Sequence, residues 1–279
     1  MKPFRYIQAR SLSEAQTLLK DGTSLARPIA GGTDLMGELK ERVATPETLV
    51  SLLDVVELRG VSAEPEGLRI GAMTTLAELE AHREIRLYPA FAQAVSSVAT
   101  PQIRNIGTLG GNLCQRPRCW YYRSPLFDCR KKGGGVCFAE SGSNKFHAIL
   151  GGNGCVIVHP SDTAVALISL DARATVAGVN GSRTMPVEDF FVSPDKNILA
   201  ENVLQPGEIL TEVFIPNTTT HHRSIYIKAK ERQTFDFALA SVAAALDVRD
   251  GSVHSARITL GGVAPVPYRA ANSERALEG

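Results

Sequence analysis

The alternation of apolar and polar positions divides the chain into short strands and helices. Short apolar or alternating runs predict strands at residues 4–7, 26–30, 49–53, 67–71, 155–158, 174–177, 182–185, 209–215, 223–228 and 256–260. Helical spacing predicts helices at residues 11–19, 35–43, 75–79, 89–99, 161–167, 237–245 and 271–277. Strands and helices mixed along one chain indicate an α+β fold.

Local signals and a break in the pattern suggest how these elements are grouped. Thr75 and Glu78 have the spacing of a capping box at a helix start. Residues 178–181 predict a hairpin turn. A polar run at residues 217–222 separates the last strand of one part from the first strand of the next. We therefore expect a domain of residues 1–218, with subdomains at about 1–55 and 56–218 and a cysteine-rich insertion at 114–155, followed by a second domain at 219–279.

Composition excludes several classes of protein. The chain has 279 residues, 44% of them hydrophobic, which is enough to bury a sizeable core. Its net charge of +1 gives no sign of a nucleic-acid surface. No stretch has the length and apolarity of a membrane span, and the first residues lack the apolar core of a signal peptide. We expect protein or small-molecule partners, and no export signal on this chain.

Two glycine-rich turns are candidate anion sites. Gly31 and Gly32 follow a predicted strand and precede the helix that begins near Asp34, so free backbone N–H groups could face a phosphate. Gly110 and Gly111 lie in a second such turn, Thr108–Asn112. A glycine pair by itself is as typical of an ordinary tight strand-to-helix connection. The turns are therefore compatible with phosphate binding but do not predict it by themselves.

All five cysteines fall in one segment. Their positions are Cys114, Cys119, Cys129, Cys137 and Cys155. An odd number crowded into one loop favours metal ligation or free thiols over a disulfide scaffold. The spacing leaves an iron–sulfur cluster, a four-thiolate zinc site and structural thiols open. His147 and His159 are interpreted as structural residues.

Basic residues are frequent around these cysteines. They would stabilise the negative charge of a thiolate-ligated cluster, or else form a solvated loop or a docking face for another subunit. These residues are Arg116, Arg118, Arg123, Arg130, Lys131 and Lys132.

Four motifs in order resemble one known family. They are residues 28–34 (PIAGGTD), 104–112 (RNIGTLGGN), 160–162 (PSD) and 226–228 (YIK). The chain resembles the flavin subunit of molybdenum hydroxylases, the xanthine dehydrogenase and carbon monoxide dehydrogenase family. The segment 114–121 (CQRPRCWY) and its cysteine loop look most like the flavoprotein subunit of periplasmic aromatic aldehyde oxidoreductases. A similar loop occurs in the flavin subunit of 4-hydroxybenzoyl-CoA reductase.

The resemblance implies a fold and a cofactor. The fold would be a PCMH-type FAD-binding domain of two subdomains, then a smaller C-terminal domain like that of the carbon monoxide dehydrogenase flavoprotein, apparently truncated at residue 279. Leu210 would contact the isoalloxazine ring, Lys228 would lie near its polar edge and Asp162 at the ribityl chain. The FAD-binding residues implied are Pro28, Ile29, Ala30, Gly31, Gly32, Thr33, Asp34, Leu35, Ala99, Thr108, Gly110, Gly111, Asn112, Asp162, Leu210 and Lys228.

The resemblance also implies a cluster. Cys119, Cys129, Cys137 and Cys155 match the ligands of a [4Fe-4S] cluster in the relatives that carry the loop, and Cys114 is left as a spectator. No residue is predicted to act as a general acid or nucleophile.

The implied function is electron transfer within a heterotrimer. A large subunit would hold the molybdenum cofactor and a small subunit two [2Fe-2S] clusters, while FAD on this chain would pass electrons to an external acceptor. Two alternatives are a free-standing PCMH-type flavin oxidoreductase and a zinc-bound assembly subunit without a redox role. The compartment would be the periplasm, reached by co-export with a partner, or else the cytoplasm.

Overall fold

The computed structural model describes residues 1–20, 25–218 and 223–278. A three-stranded parallel sheet in the order β1-β3-β2 opens the chain. Its strands are β1 (Arg5–Gln8), β2 (Ala26–Ile29) and β3 (Thr48–Ser51), and its helices are α1 (Leu12–Leu19) and α2 (Leu35–Lys40). Both helices follow strands directly, so the first glycine turn lies between β2 and α2, as predicted.

A five-stranded antiparallel sheet in the order β4-β5-β8-β6-β7 forms the second part. Its strands are β4 (Val61–Glu64), β5 (Gly67–Gly71), β6 (Arg173–Gly178), β7 (Gly181–Pro186) and β8 (Ile209–Pro216). Its helices are α3 (Leu76–Ala81), α4 (Pro89–Ser97), α5 (Pro101–Ile106), α6 (Leu109–Leu113), α7 (Trp120–Arg123), α8 (Asp162–Ser169) and α9 (Val187–Phe190), with 3-10 turns at Val56–Leu58, Arg83–Leu87 and Arg130–Lys132.

The predicted local signals of this part are present. The capping box at α3 forms, because the Thr75 hydroxyl accepts from the Glu78 N–H while the Glu78 carboxylate accepts from the Thr75 N–H. The β6–β7 hairpin turns between Gly178 and Gly181. Residues 155–158, predicted as a strand, form no sheet strand. They are held instead by isolated backbone bonds, such as that from the Ala148 N–H to the Val156 carbonyl.

The third part is an antiparallel sheet in the order β12-β11-β10-β9. Its elements are β9 (Arg223–Ala229), β10 (Ala240–Arg249), β11 (Ser252–Gly261), β12 (Tyr268–Arg269) and helix α10 (Ala271–Leu277). The helix predicted at 237–245 is wrong, since this segment supplies most of strand β10. The strand lies between β9 and β11 and hydrogen-bonds to both, and this pairing overrides the weak helical preference of an alanine-rich run.

One core joins the second and third parts. Helix α8 is buried along its whole length, and its residues pack in the same cluster as Ala243 and Ala245 of β10. The predicted domain boundary after residue 218 borders residues 219–222, which lie outside the described residues, as does residue 279.

The first glycine turn packs directly on the second part. A Cβ atom on Gly31 would lie 1.8 Å from the carbonyl oxygen of Ile106, which is far inside van der Waals contact. The second turn packs within its own part, where a Cβ atom on Gly110 would lie 2.9 Å from the Cβ of Ala72 and the Gly110 N–H donates to the Ala72 carbonyl. The missing side chain of Gly31 therefore allows the backbones of the two parts to approach each other.

We predict that Gly31→Ala destabilises the protein by about 1–3 kcal/mol or more, because the added methyl group must displace the Ile106 backbone. The matched control is Gly37→Ala in helix α2, where a Cβ atom meets nothing closer than the Arg123 Nη1 at 3.9 Å. That change should be neutral or stabilise by roughly 0.5–1 kcal/mol through helix propensity. Chemical denaturation of both variants measures the difference, and equal stabilities would contradict the packing argument.

Candidate functional site

A long cleft of about 1710 Å³ runs between the first and second parts. Most of the residues predicted to bind FAD line it: Pro28, Ile29, Ala30, Gly31, Gly32, Thr33, Asp34, Leu35, Thr108, Gly110, Gly111 and Leu210. The two glycine turns, remote in sequence, thus face the same space. Gln115, Arg116 and residues 204–209 also line the cleft and were not predicted.

Local geometry explains how each turn is built. Gly32 has φ +71°, which lets the chain leave β2 and enter α2 in a tight turn. In the second turn, Thr108 caps helix α6, and its Oγ1 accepts a hydrogen bond from the Gly111 N–H at 3.0 Å. Both turns place short backbone segments at the cleft wall, where an extended polar ligand could contact them.

Asp34 is neutralised by the cysteine-rich insertion. Its Oδ1 accepts from Arg118 at 2.6 Å and from Arg123 at 2.7 Å, and its Oδ2 accepts from the Arg116 backbone N–H at 2.8 Å. The carboxylate therefore has two guanidinium partners beside the first glycine turn. Its charge repels an anion in the cleft less than a free carboxylate would.

Asn112 connects the second glycine turn to helix α8. Its side-chain carbonyl accepts from the hydroxyls of Ser161 and Thr163, each at 2.6 Å. Ser161 is the residue that caps α8, because its Oγ accepts from the Ala164 N–H. Asn112 thus holds α6 against the start of α8, the position of Asp162.

Asp162 forms a buried ion pair with Lys228. The Lys228 Nζ donates to Oδ2 at 2.7 Å and the Tyr226 hydroxyl donates to Oδ1 at 2.5 Å. The two charged side chains are only 7% and 4% exposed. Burial raises the pKa of Asp162, while Lys228 and Tyr226 act in the opposite direction. This pair links helix α8 to strand β9 of the third part.

Ala99, Asp162 and Lys228 lie in one region, apart from the other predicted FAD residues. Lys228 also donates to the Ser97 carbonyl at 3.3 Å, and the Ala99 carbonyl accepts from the Phe235 N–H at 3.2 Å. Ala99 has φ +46°, unusual for a residue with a side chain. Leu210 lines the glycine-turn cleft.

The four predicted cluster cysteines line a single small cavity. Cys129, Cys137 and Cys155 are buried and Cys119 is half-buried. Burial raises the pKa of the Cys155 thiol to about 11, and Cys137 and Cys119 add a smaller repulsion between negative charges. Cys114 lines the glycine-turn cleft instead, where burial raises its pKa to about 12. The structure thus separates one cysteine from the other four.

Most basic residues of the insertion face inward. Lys131 is buried beside the cysteine cavity, and its Nζ contacts Glu201 at 2.7 Å and the carbonyls of Ile198 and Ala200. Arg116 pairs with the same Glu201 at 2.8 Å. These internal pairs argue against a solvated basic loop or a docking face for these residues.

A second cavity, of about 1030 Å³, lies between the cysteines and Asp162. Cys119 and His147 line both this cavity and the cysteine cavity. The His147 Nε2 is 3.2 Å from the Cys119 Sγ, a contact that the sequence did not reveal. Burial lowers the pKa of His147. The only signal in the sequence was the position of this histidine inside the cysteine-rich segment.

Comparison with known proteins identifies the family. The FAD binding domain in molybdopterin dehydrogenase matches residues 2–218, and the CO dehydrogenase flavoprotein C-terminal domain matches residues 225–279. The chain therefore belongs to the family of FAD-binding subunits of molybdopterin dehydrogenases. More narrowly, it is a flavoprotein subunit of the molybdenum-dependent dehydrogenases of the aldehyde, xanthine and carbon monoxide type. The predicted resemblance and fold are confirmed.

Individual relatives support this assignment. The aldehyde oxidoreductase FAD-binding subunit PaoB of Escherichia coli K12 is 36% identical over 96% of this chain and 84% of its own length. The xanthine dehydrogenase FAD-binding subunit of E. coli O157:H7 is 29% identical over 98% and 78%. Among solved structures, CO dehydrogenase from Oligotropha carboxidovorans superposes with a TM-score of 0.78 at 29% identity, covering 100% of this chain and 82% of that one.

Among the described residues, no helix has the length and apolarity to cross a membrane.

We predict that Lys228→Met destabilises the protein by about 3–5 kcal/mol, because it leaves the Asp162 carboxylate buried without its cation. The double variant Asp162→Leu/Lys228→Met should recover part of this loss, since neither charge then remains. Lys196→Met, which removes an exposed lysine, is the control and should stay within about 0.5 kcal/mol of wild type. Urea unfolding in the absence of added FAD gives all three values; a double variant no more stable than Lys228→Met would contradict the argument.

Proposed function

We propose that this chain is the FAD- and [4Fe-4S]-carrying electron-transfer subunit of a multi-subunit molybdenum hydroxylase that oxidises aldehydes. It would receive electrons from a large molybdenum-cofactor subunit through two [2Fe-2S] clusters on a small subunit, and deliver them to an external acceptor. One observation carries the proposal: in a chain of the FAD-binding family, the cavity lined by four cysteines adjoins the second cavity. Asp162, which is expected to contact the flavin, lines that second cavity.

The glycine-turn cleft supports FAD as the resident cofactor. FAD supplies two-electron storage when it is bound. Backbone N–H groups of the turns around Gly31 and Gly110 would hold its pyrophosphate, and the arginine-neutralised Asp34 reduces the repulsion that this anion meets. Asp162 and Lys228 offer a buried carboxylate and a buried cation next to Ser161 and Thr163, which bind Asn112 of the second glycine turn. The remaining assignments are those implied by the family motifs.

Lys228 would act on the electronic state of the flavin. A buried lysine near the polar edge of the ring favours the anionic reduced form, because it places positive charge where negative charge develops. Asp162 holds the ammonium group in place at 2.7 Å. The proposed role of the pair is therefore to orient a cation, with Asp162 also available to a hydroxyl of the cofactor.

The cysteine cavity supports a four-thiolate site. Cys119, Cys129, Cys137 and Cys155 all line it. A [4Fe-4S] cluster needs one thiolate for each of its four irons, and this cavity brings four together. The choice of a cluster over a zinc ion comes from the likeness of the cysteine loop to relatives that bind a [4Fe-4S] cluster.

Aldehyde oxidation by partner subunits is supported by relatedness. PaoB, at 36% identity, is named as the FAD-binding subunit of an aldehyde oxidoreductase. Likeness of its cysteine loop to periplasmic enzymes supports export as a folded complex on a partner's signal.

Iron content should separate Cys114 from the other four cysteines. We expect Cys119→Ser, Cys129→Ser, Cys137→Ser and Cys155→Ser each to lose most of the iron and acid-labile sulfide, because each removes one of four thiolates. Cys114→Ser should keep both, since Cys114 faces a different cleft. Iron and sulfide per flavin across the five single variants measure this. Loss of iron from the Cys114 variant and retention in the Cys155 variant would reverse the ligand assignment, and zinc in place of iron in wild type would favour the assembly subunit.

Substrate oxidation should depend on the partners. In the purified complex, an aromatic aldehyde should bleach the flavin absorbance under anaerobic conditions, because electrons reach this chain from the other subunits. The isolated chain, checked by mass spectrometry for absence of the large subunit, should show no bleaching with aldehyde but full bleaching with dithionite. Turnover of an aldehyde by the isolated chain would instead establish a free-standing flavoenzyme.

A further inference from the structure

His147 is held against one of the four cysteines of the insertion. Its Nε2 lies 3.2 Å from the Cys119 Sγ, within hydrogen-bonding range for sulfur. The ring is buried and packs edge-on against Trp120, with 5.1 Å between centroids, and the backbone N–H of His147 donates to the Asn144 carbonyl at 3.0 Å. These contacts hold the imidazole in one orientation, with Nε2 directed at Cys119.

The surroundings of the ring decide which nitrogen carries the proton. Nδ1 is buried and has no hydrogen-bond partner among the described residues, so a proton there would be an unsatisfied donor. Nε2 faces the sulfur, which accepts hydrogen bonds when it is a thiolate. A lone pair on Nε2 would instead meet the lone pairs of the sulfur. The favoured tautomer therefore has its proton on Nε2, directed at Cys119.

We propose that His147 is a positioning residue that donates an Nε2–H hydrogen bond to the Cys119 thiolate and thereby raises the reduction potential of the cluster. The inference rests on the proposed [4Fe-4S] site. Hydrogen bonds to ligand sulfurs withdraw negative charge from a cluster, which stabilises its more negative, reduced state.

The position of the contact gives it a functional consequence. Cys119 and His147 line both the cysteine cavity and the second cavity. Asp162 also lines the second cavity. The hydrogen bond therefore acts on the ligand that faces the proposed flavin region. Among the side chains of the insertion, His147 is the one placed to bias electron flow between the two cofactors.

The test compares two substitutions in the intact complex. His147→Phe keeps an aromatic ring against Trp120 but removes the donor, whereas His147→Gln keeps a donor nitrogen. Tyr121→Phe is the control, because Tyr121 lines the same cavity and its change leaves the Cys119 contact intact. Potentiometric titration followed by electron paramagnetic resonance gives the cluster potential, with the flavin as an internal reference. Resonance Raman spectra of the oxidised cluster provide a readout that requires no reduction.

We expect His147→Phe to keep iron and flavin, to shift the cluster potential to more negative values, and to move an Fe–S(Cys) stretching band to higher frequency. His147→Gln should lie nearer wild type, and Tyr121→Phe should match it. Loss of iron from the Phe variant alone would make the contact a structural one and would overturn the proposed effect on the potential. An unshifted potential and Raman band in His147→Phe, or loss of iron from both His147 variants, would overturn the role of His147 but leave the proposed cluster standing. A wild-type complex with flavin but no iron would overturn the proposed cluster, and the inference with it.

Discussion

The close approach of Gly31 to the Ile106 carbonyl is the contact on which the rest of the structure depends. The first part of the chain is a small parallel sheet whose glycine turn packs on Ile106, just before the second glycine turn, and a Cβ atom on Gly31 would overlap the Ile106 backbone. Because backbone meets backbone there, both turns face one cleft. The cleft that is suited to FAD is thus a consequence of how the two parts pack.

The cysteine-rich insertion is stabilised by charge as well as by apolar packing. Arg118 and Arg123 bind Asp34 at the first glycine turn, and Arg116 and Lys131 share Glu201. Buried ion pairs of this kind specify one arrangement, since removing either partner leaves a charge uncompensated. Arg118 and Arg123 therefore tie the insertion, which carries the proposed cluster, to the cleft that is proposed to hold the flavin.

The third sheet takes part in the site through Asp162. Tyr226 and Lys228 come from strand β9, while Asp162 begins helix α8 of the second part. The sheet thus supplies both partners of a buried carboxylate. The shared core of α8 and β10 keeps this geometry in place, which explains why a cation can be kept 4% exposed at the proposed flavin region.

The sequence by itself determined most of the local elements, the family and the glycine-turn residues of the cleft. Capping boxes, glycine turns and hairpins depend on neighbours within a few residues, so Thr75, Gly31 and Gly178 could be interpreted correctly. Tertiary structure alone decided the features that depend on distant partners. The run at 237–245 became a strand because β9 and β11 pair with it, and residues 155–158 found no strand to join. His147 meets Cys119 across 28 positions, and Lys228 meets Asp162 across 66. Such contacts depend on how the chain closes in space, which no local pattern records.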